Sequence, residues 1–122
     1  MPASGPRPSA ILVERHAPGV VLVTLRGEHD LNTRPQLGDA LARAAGEASV
    51  LVDLSECDFI DSTVIGALVV TSQTVTERGR RFELVIPADA KAVQRVARVA
   101  GLATFLTIHE TREAGLASVS AP

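Results

Sequence analysis

A carboxylate, a hydroxyl and a second hydroxyl stand in a row at Asp61-Ser62-Thr63, with another carboxylate three residues earlier at Asp58. Such a group can do three things. Asp58 and Asp61 could pair for general acid–base work. Ser62 could be a nucleophile, which requires a base held by a third group. Ser62 could also accept a phosphate. The first two need more than the chain supplies. No pocket-forming aromatic, glycine-rich phosphate loop or histidine base lies near, and no triad partner is recognisable. The residues therefore argue against an enzyme. His16, His29 and His109 fall in separate segments without ligand spacing. They are expected to be solvated or in turns, with no metal site and no cofactor implied.

The elements around this group are a strand and a helix. Val50-Leu51-Val52-Asp53-Leu54 is an apolar, β-branched run of strand length. A polar knot, Ser55 to Asp58, follows. The pattern then becomes helical from Val64 to Val75 and ends near Gly79. A strand that turns into a helix leaves the helix start at the C-terminal edge of a sheet, where ligands and partners meet open α/β folds. Ser62 belongs to that turn, beside the free amides of the helix start.

Ala10 to Arg15 and Gly19 to Arg26 read as a hairpin through Pro18-Gly19. Gly27 to Asn32 reads as a polar loop. Thr33 and Gln36 form a capping-box pattern with Pro35 in the first turn, and Leu37, Leu41, Ala44 and Ala45 give an apolar stripe. Phe82 to Ile86 is a strand closed by Pro87. Asp89 is expected to cap a helix with the stripe Val93, Val96, Ala97 and Ala100, stopped by Gly101 in a Schellman ending. Phe105 to His109 is a last strand, and Thr111 to Val119 a terminal helix. The order is β-β-α-β-α-β-α-β-α. It predicts an α/β fold: one mixed, mostly parallel sheet of about five strands packed with four helices, with the first strand antiparallel at or near an edge.

Composition sets bounds. The 122 residues suggest one domain, and 46% hydrophobic residues suffice for one core. With no Trp, no Tyr and three Phe, that core is Val, Leu, Ile and Ala. A net charge of −2 and the lack of stacking aromatics argue against nucleic acid, and the charge against an anionic membrane. No apolar run is long enough to span a bilayer, so no direct membrane insertion is expected. Residues 1–9 read as a disordered tail before a domain over 10–119. Cys57, the single cysteine, excludes an internal disulfide, points to a reducing cytoplasmic compartment, and reads as a small buried thiol.

The second helix has two faces. At about 100° per residue, Val64, Ile65, Leu68 and Val75 gather on the core side. Ser62, Gly66, Val70, Gln73 and Glu77 recur on the opposite side at spacings of four, four, three and four. A solvated face with one stray valine accounts for this; so does a docking stripe, where Gly66 admits a close backbone and Val70 offers apolar surface.

A longer string separates the two. Asp53-Leu54-Ser55, then Phe59-Ile60-Asp61-Ser62-Thr63 and Gly66, resembles the phosphorylation-site motif of anti-sigma factor antagonists in the STAS domain family. Leu25-Arg26-Gly27-Glu28-His29-Asp30 is similar to that family's loop after the second strand, which ends in aspartate. Ala100-Gly101-Leu102 is similar to the ending of its third helix. The resemblance covers about residues 10–119. It implies a partner-switching protein, monomeric or weakly dimeric. The unmodified form binds an anti-sigma factor with serine kinase activity, which releases a sigma factor. The kinase phosphorylates Ser62, with Thr63 as the alternative, and a PP2C-type phosphatase reverses the change. Asp30, Asp61, Ser62, Thr63, Gly66, Val70 and Gln73 are then the partner-binding residues. One position departs: the family usually has glycine after the hydroxyl pair, and here Val64 either obstructs the kinase or fills the core. The alternative is a STAS subunit or accessory domain of a membrane transporter, binding its partner without phosphorylation. A third reading is a small nucleotide or lipid in the sheet-edge cleft.

Overall fold

Two β-branched runs make the centre of the sheet. In the computed structural model, which describes residues 7–121, β2 (Val20–His29) lies parallel beside β3 (Ser49–Ile60). β1 (Ala10–Ala17) pairs antiparallel with β2 and forms one edge. β4 (Phe82–Val85) and β5 (Thr107–His109) continue in parallel on the other side, giving the order β1-β2-β3-β4-β5. The expected mixed sheet with an antiparallel edge strand is therefore present.

Side chains alternate across a strand, so the buried strands feed two cores. One face carries Val21, Val23, Val50, Val52 and Leu84 into a core with α1 (Arg34–Ala45), α2 (Ser62–Glu77) and α3 (Lys91–Val99). The other face carries Val20, Leu22, Leu51 and Val85 against Val119 and Leu116 of α4 (Arg112–Val119). Full burial of such an aliphatic side chain is worth about 1.5–3 kcal/mol over exposure. The α4 face also holds the buried carboxylate of Asp53, which takes the Arg112 guanidinium at 2.7 Å and the Ser55 amide at 2.9 Å. Glu83, buried opposite Leu51 in the sheet, bonds His109 at 2.7 Å.

Several expectations are corrected. β2 does not stop at Arg26, and β3 does not stop at Leu54. Gly27 to His29 is strand, not loop, and the polar knot Ser55 to Asp58 is strand as well. The two strands stay paired to their ends because β3 carries two extra residues. Thr24 pairs with Asp53 but Arg26 with Glu56, and Gly27 pairs with Cys57 but Glu28 with Phe59. Each bulge breaks the period-2 pattern by which a strand is read. Arg26 and Glu56, opposite each other, close an ion pair at 2.8 Å, so polar residues pay no penalty for lying in the ladder.

Smaller corrections follow the same lines. Thr33 is at the N-cap of α1, but its hydroxyl caps nothing, so the Thr33–Gln36 capping box does not form. Ala90 rather than Asp89 precedes α3, and Ala100 is exposed rather than on its core stripe. Gly101 takes φ 65° and leads into a 3-10 turn, Leu102–Thr104, and the last strand shortens to Thr107–His109 with Phe105 exposed. His16 is exposed as expected, whereas His29 is wholly buried and His109 half-buried in its pair with Glu83. Of the expected tail, residues 1–6 lie outside the described residues. Arg7 to Ser9 are held on the sheet: Arg7 donates to Asp58 from its guanidinium at 2.9 Å and its amide at 3.1 Å, and Ser9 donates to the Glu28 carbonyl.

That clasp runs directly over Gly27. Gly27 has φ 79°, and a Cβ there would lie 2.5 Å from the Arg7 carbonyl oxygen and 2.7 Å from that of Pro8. Gly66, on exposed α2, would meet nothing within 4 Å. Gly27→Ala is therefore expected to lower unfolding free energy by about 1–2 kcal/mol from backbone conformation alone, and to loosen residues 7–9. Gly66→Ala should raise it by about 0.5–1 kcal/mol. Urea denaturation of both variants checks this; a neutral Gly27→Ala would mean that residue 27 is not held at positive φ, and a variant in which residues 7–9 stay as protected as in wild type would mean that the segment does not cross there.

Candidate functional site

β2 and β3 end in register, His29 opposite Ile60, so Asp30 and Asp61 are the next residues on adjacent strands. Both leave the C-terminal edge of the sheet together. Asp61 is the N-cap of α2, in extended backbone at φ −112°. One of its oxygens, Oδ1, accepts from the Thr63 amide at 3.0 Å, the Thr63 hydroxyl at 2.6 Å and the Val64 amide at 3.1 Å. Burial pushes the Asp61 carboxyl up, but the Thr63 hydroxyl and the amides of Val64, Thr63 and Leu31 outweigh it and hold the group below the usual carboxylate range. The Leu31 amide belongs to the Asp30 loop, so that loop contributes, least of the causes, to keeping Asp61 charged.

This net sorts the three residues after it. Ser62 is the first residue of α2 and its side chain is exposed. The Thr63 hydroxyl is half-buried and already donates to Asp61. Val64 is wholly buried in the core, so the departure from the family pattern fills the core and leaves the Ser62 side chain uncovered. Asp58 does not join Asp61 as a carboxylate pair. The Arg7 guanidinium holds it below its usual range and turns it toward the N-terminal clasp.

The Asp30 loop is locked from beneath. The buried His29 ring donates from Nε2 to the carbonyls of Arg26 at 3.0 Å and Ala10 at 3.2 Å. Its Nδ1 then accepts from the Thr33 hydroxyl at 3.0 Å, and that oxygen accepts from the Asp30 amide at 3.2 Å. Asp30 itself accepts from the Asn32 amide at 2.8 Å and is half-exposed. Leu31, at the tip, is 69% exposed, which is unusual for leucine and puts an apolar side chain at the same edge as Ser62. Sequence reasoning did not single out Leu31; the signal was an aliphatic residue inside an otherwise polar segment.

Along α2 the stripe Ser62, Gly66, Val70, Gln73 and Glu77 is exposed throughout, while Val64, Ile65, Leu68 and Val75 are buried. The helical phase is therefore as expected. Cys57 is buried and its thiol is pushed up to about 11 by burial, which makes it unreactive at neutral pH. The edge has the makings of a contact surface: a free hydroxyl, an exposed leucine, a held carboxylate and a helix face with one exposed valine.

Comparison with known proteins agrees with this geometry. The family model described as "Mlab, STAS domain" matches residues 12–108. Among solved structures, the chain is similar to an anti-sigma factor antagonist from Mycobacterium paratuberculosis, with 26% identity over 93% of this chain and 95% of that one and a TM-score of 0.83. It shares its fold with the Bacillus cell fate determinant SpoIIAA in the phosphorylated form, at 20% identity over 90% and 99% of the chains and a TM-score of 0.68. It also shares its fold with part of the murine anion transporter Slc26a9, at 18% identity over 88% of this chain and 19% of that one and a TM-score of 0.67. A search of curated proteins returns no match. Among the described residues, no helix is long and apolar enough to cross a membrane.

The held carboxylate gives a pH test. A carboxyl depressed in the folded state stabilises the protein above its unfolded pKa, and this contribution is lost as pH falls through the folded value. Asp61→Ala should cost about 0.5–2 kcal/mol at neutral pH, as for other cap removals. The gap between wild type and variant should begin to narrow below pH ~4, where the carboxyl of the unfolded chain takes up its proton, and close as pH falls through the lower folded value. Chemical denaturation at pH 7 and pH 3 reads this; an equal gap at both would mean that Asp61 acts by shape and not by charge.

Proposed function

The chain belongs to the STAS domain family, and on that premise we propose that it is an anti-sigma factor antagonist: a binding module, not an enzyme, switched at Ser62. In its unmodified form it binds an anti-sigma factor with serine kinase activity and so frees a sigma factor for transcription. Phosphate on Ser62 breaks that complex, and a PP2C-type phosphatase restores it. The protein works in the cytoplasm as a monomer or weak dimer. The observation that carries the proposal is the Asp61 net, which leaves Ser62 exposed at the helix start while it engages Thr63. The likeness to anti-sigma factor antagonists supports the class of partner.

The switch follows from charge. A phosphoserine brings about −1.5 to −2 charges at neutral pH. The start of α2 favours an anion by about 0.3–1 kcal/mol, through its dipole and free amides. Asp61 and Asp58 oppose this, Asp58 the less because Arg7 pairs with it, while the donors at the helix start engage Asp61. The fold therefore tolerates the phosphate, and the effect falls on the docking surface. There a dianion must lose water against the partner beside Asp30, Leu31 and Gly66. Thr63 is a poorer acceptor, because its hydroxyl must first leave Asp61. A second proposal, an accessory domain that binds a membrane transporter without phosphorylation, draws on the shared fold with Slc26a9.

Incubation with the kinase-type partner and ATP, followed by mass spectrometry, tests the switch. Phosphate is expected on Ser62, with a drop in partner affinity of tenfold or more, roughly 1.4 kcal/mol at least. Ser62→Ala should bind and resist switching. Phosphate on Thr63 alone would move the switch by one residue, and none at all would favour the transporter-type proposal. Val70→Glu places a charge in a contact expected to be apolar. It should weaken partner binding at least tenfold and leave Tm unchanged, since Val70 is 63% exposed.

A further inference from the structure

Beside the stripe on α2 runs a groove between α1 and α2, of about 420 Å³. Its floor is made of small residues: Gly38, Ala42 and Ala45 from α1, and Ala67 and Thr71 from α2. Val70 and Thr74 line its α2 wall, so the groove is continuous with the exposed stripe through Val70. Both helices run antiparallel to the parallel strands and hence parallel to each other. Arg34, the first residue of α1, stands at one end, its guanidinium folded over Gly38, where a Cβ would lie 2.6 Å from Nη1. Arg78, the C-cap of α2, stands at the other, donating to the Ala45 carbonyl at 3.0 Å.

The charge of the groove is one-sided. No carboxylate lines it, although the whole chain carries −2. Among the described residues the ion pairs use Arg7, Arg15, Arg26, Arg81 and Arg112, and leave Arg34 and Arg78 without a carboxylate. α1 rises about 1.5 Å per residue, so the eleven steps from Arg34 to Ala45 span roughly 16 Å, three helical turns. Eleven residues also return a helix to nearly the same face.

We propose that this groove receives an amphipathic helix of a partner protein, small or apolar on the docking face, with two acidic residues about three turns apart that meet Arg34 and Arg78. The proposal rests on the reading above only in taking the partner to be a protein; it requires no phosphate on Ser62. A close helix–helix contact needs the small floor residues, and an arginine fork gives carboxylates a paired, directional seat. A second copy of this chain is a poor occupant, because a symmetric contact would set two cationic grooves against each other.

The test uses the isotope-labelled full chain and a stapled alanine–leucine helix with two glutamates eleven positions apart, alongside its lysine analogue. The glutamate helix should shift the amides of Gly38, Ala42, Val70 and Thr74, weaken with added salt, and bind at least tenfold tighter than the lysine helix. Arg34→Glu with Arg78→Glu should reverse that order; Arg34→Gln with Arg78→Gln, a milder pair, should abolish it. Equal binding of the two helices, or no shift at these four amides, would overturn the proposal, as would a dimer in solution that covers the groove. The titration uses the unphosphorylated chain and no kinase, so failure of the phosphate switch and failure of the groove are told apart.

Discussion

Asp61 Oδ1 is the point on which the site depends. A single oxygen receives three donors from the first turn of α2. A helix start leaves several amides without partners, and a charged acceptor is the strongest local remedy. Here the same bonds choose the fate of each following residue. Ser62 is released to solvent, Thr63 is occupied, and Val64 is turned into the core. The Asp30 loop is held from below by His29 through Thr33, and its exposed leucine stands on that support.

The alternation of elements was legible because each apolar run is either β-branched and short or periodic and long. Val20 to Leu25 and Val50 to Leu54 lie in the sheet as read, and Val64, Ile65, Leu68 and Val75 turn inward as the helical period requires. Ser62 and the outward stripe were legible for the same reason. What escaped was the far half of each central strand. Gly27 to His29 and Ser55 to Asp58 are largely polar by composition, and only pairing across a bulged ladder makes them strand. Non-local ion pairs and a crossing N-terminal segment satisfy them, and no window of sequence contains both partners.

The histidines show the same limit. His29 looked like a solvated residue in a polar loop. Its burial depends on three groups: carbonyls from β1 and β2 and the hydroxyl of Thr33. Thr33 in turn looked like a capping residue, but its hydroxyl was claimed by the histidine and by Asp30. Local spacing gives each residue a plausible partner nearby, and tertiary packing supplies a better one. The exposed features were easier to infer, since an outward face needs only the phase of its own helix.

The two extra residues in β3 have a consequence for chain length. Because β2 and β3 reach the sheet edge opposite each other, the distance from Leu54 to Asp61 is set by count as well as by composition. Removing one residue there would draw Asp61 back along the strand and turn Cys57 and Ile60 out of the core, as any single-residue slip does. The segment should therefore accept many replacements at Phe59, which is exposed, and no deletion or insertion; Ser55, though exposed, is tied to the buried Asp53 carboxylate by its hydroxyl. A scan of single-residue indels, scored by soluble yield, would show a sharp gap between Leu54 and Asp61 and tolerance at the Pro18-Gly19 turn. In this protein the ruler for the Asp61–Ser62 edge is the number of residues, and spelling matters less.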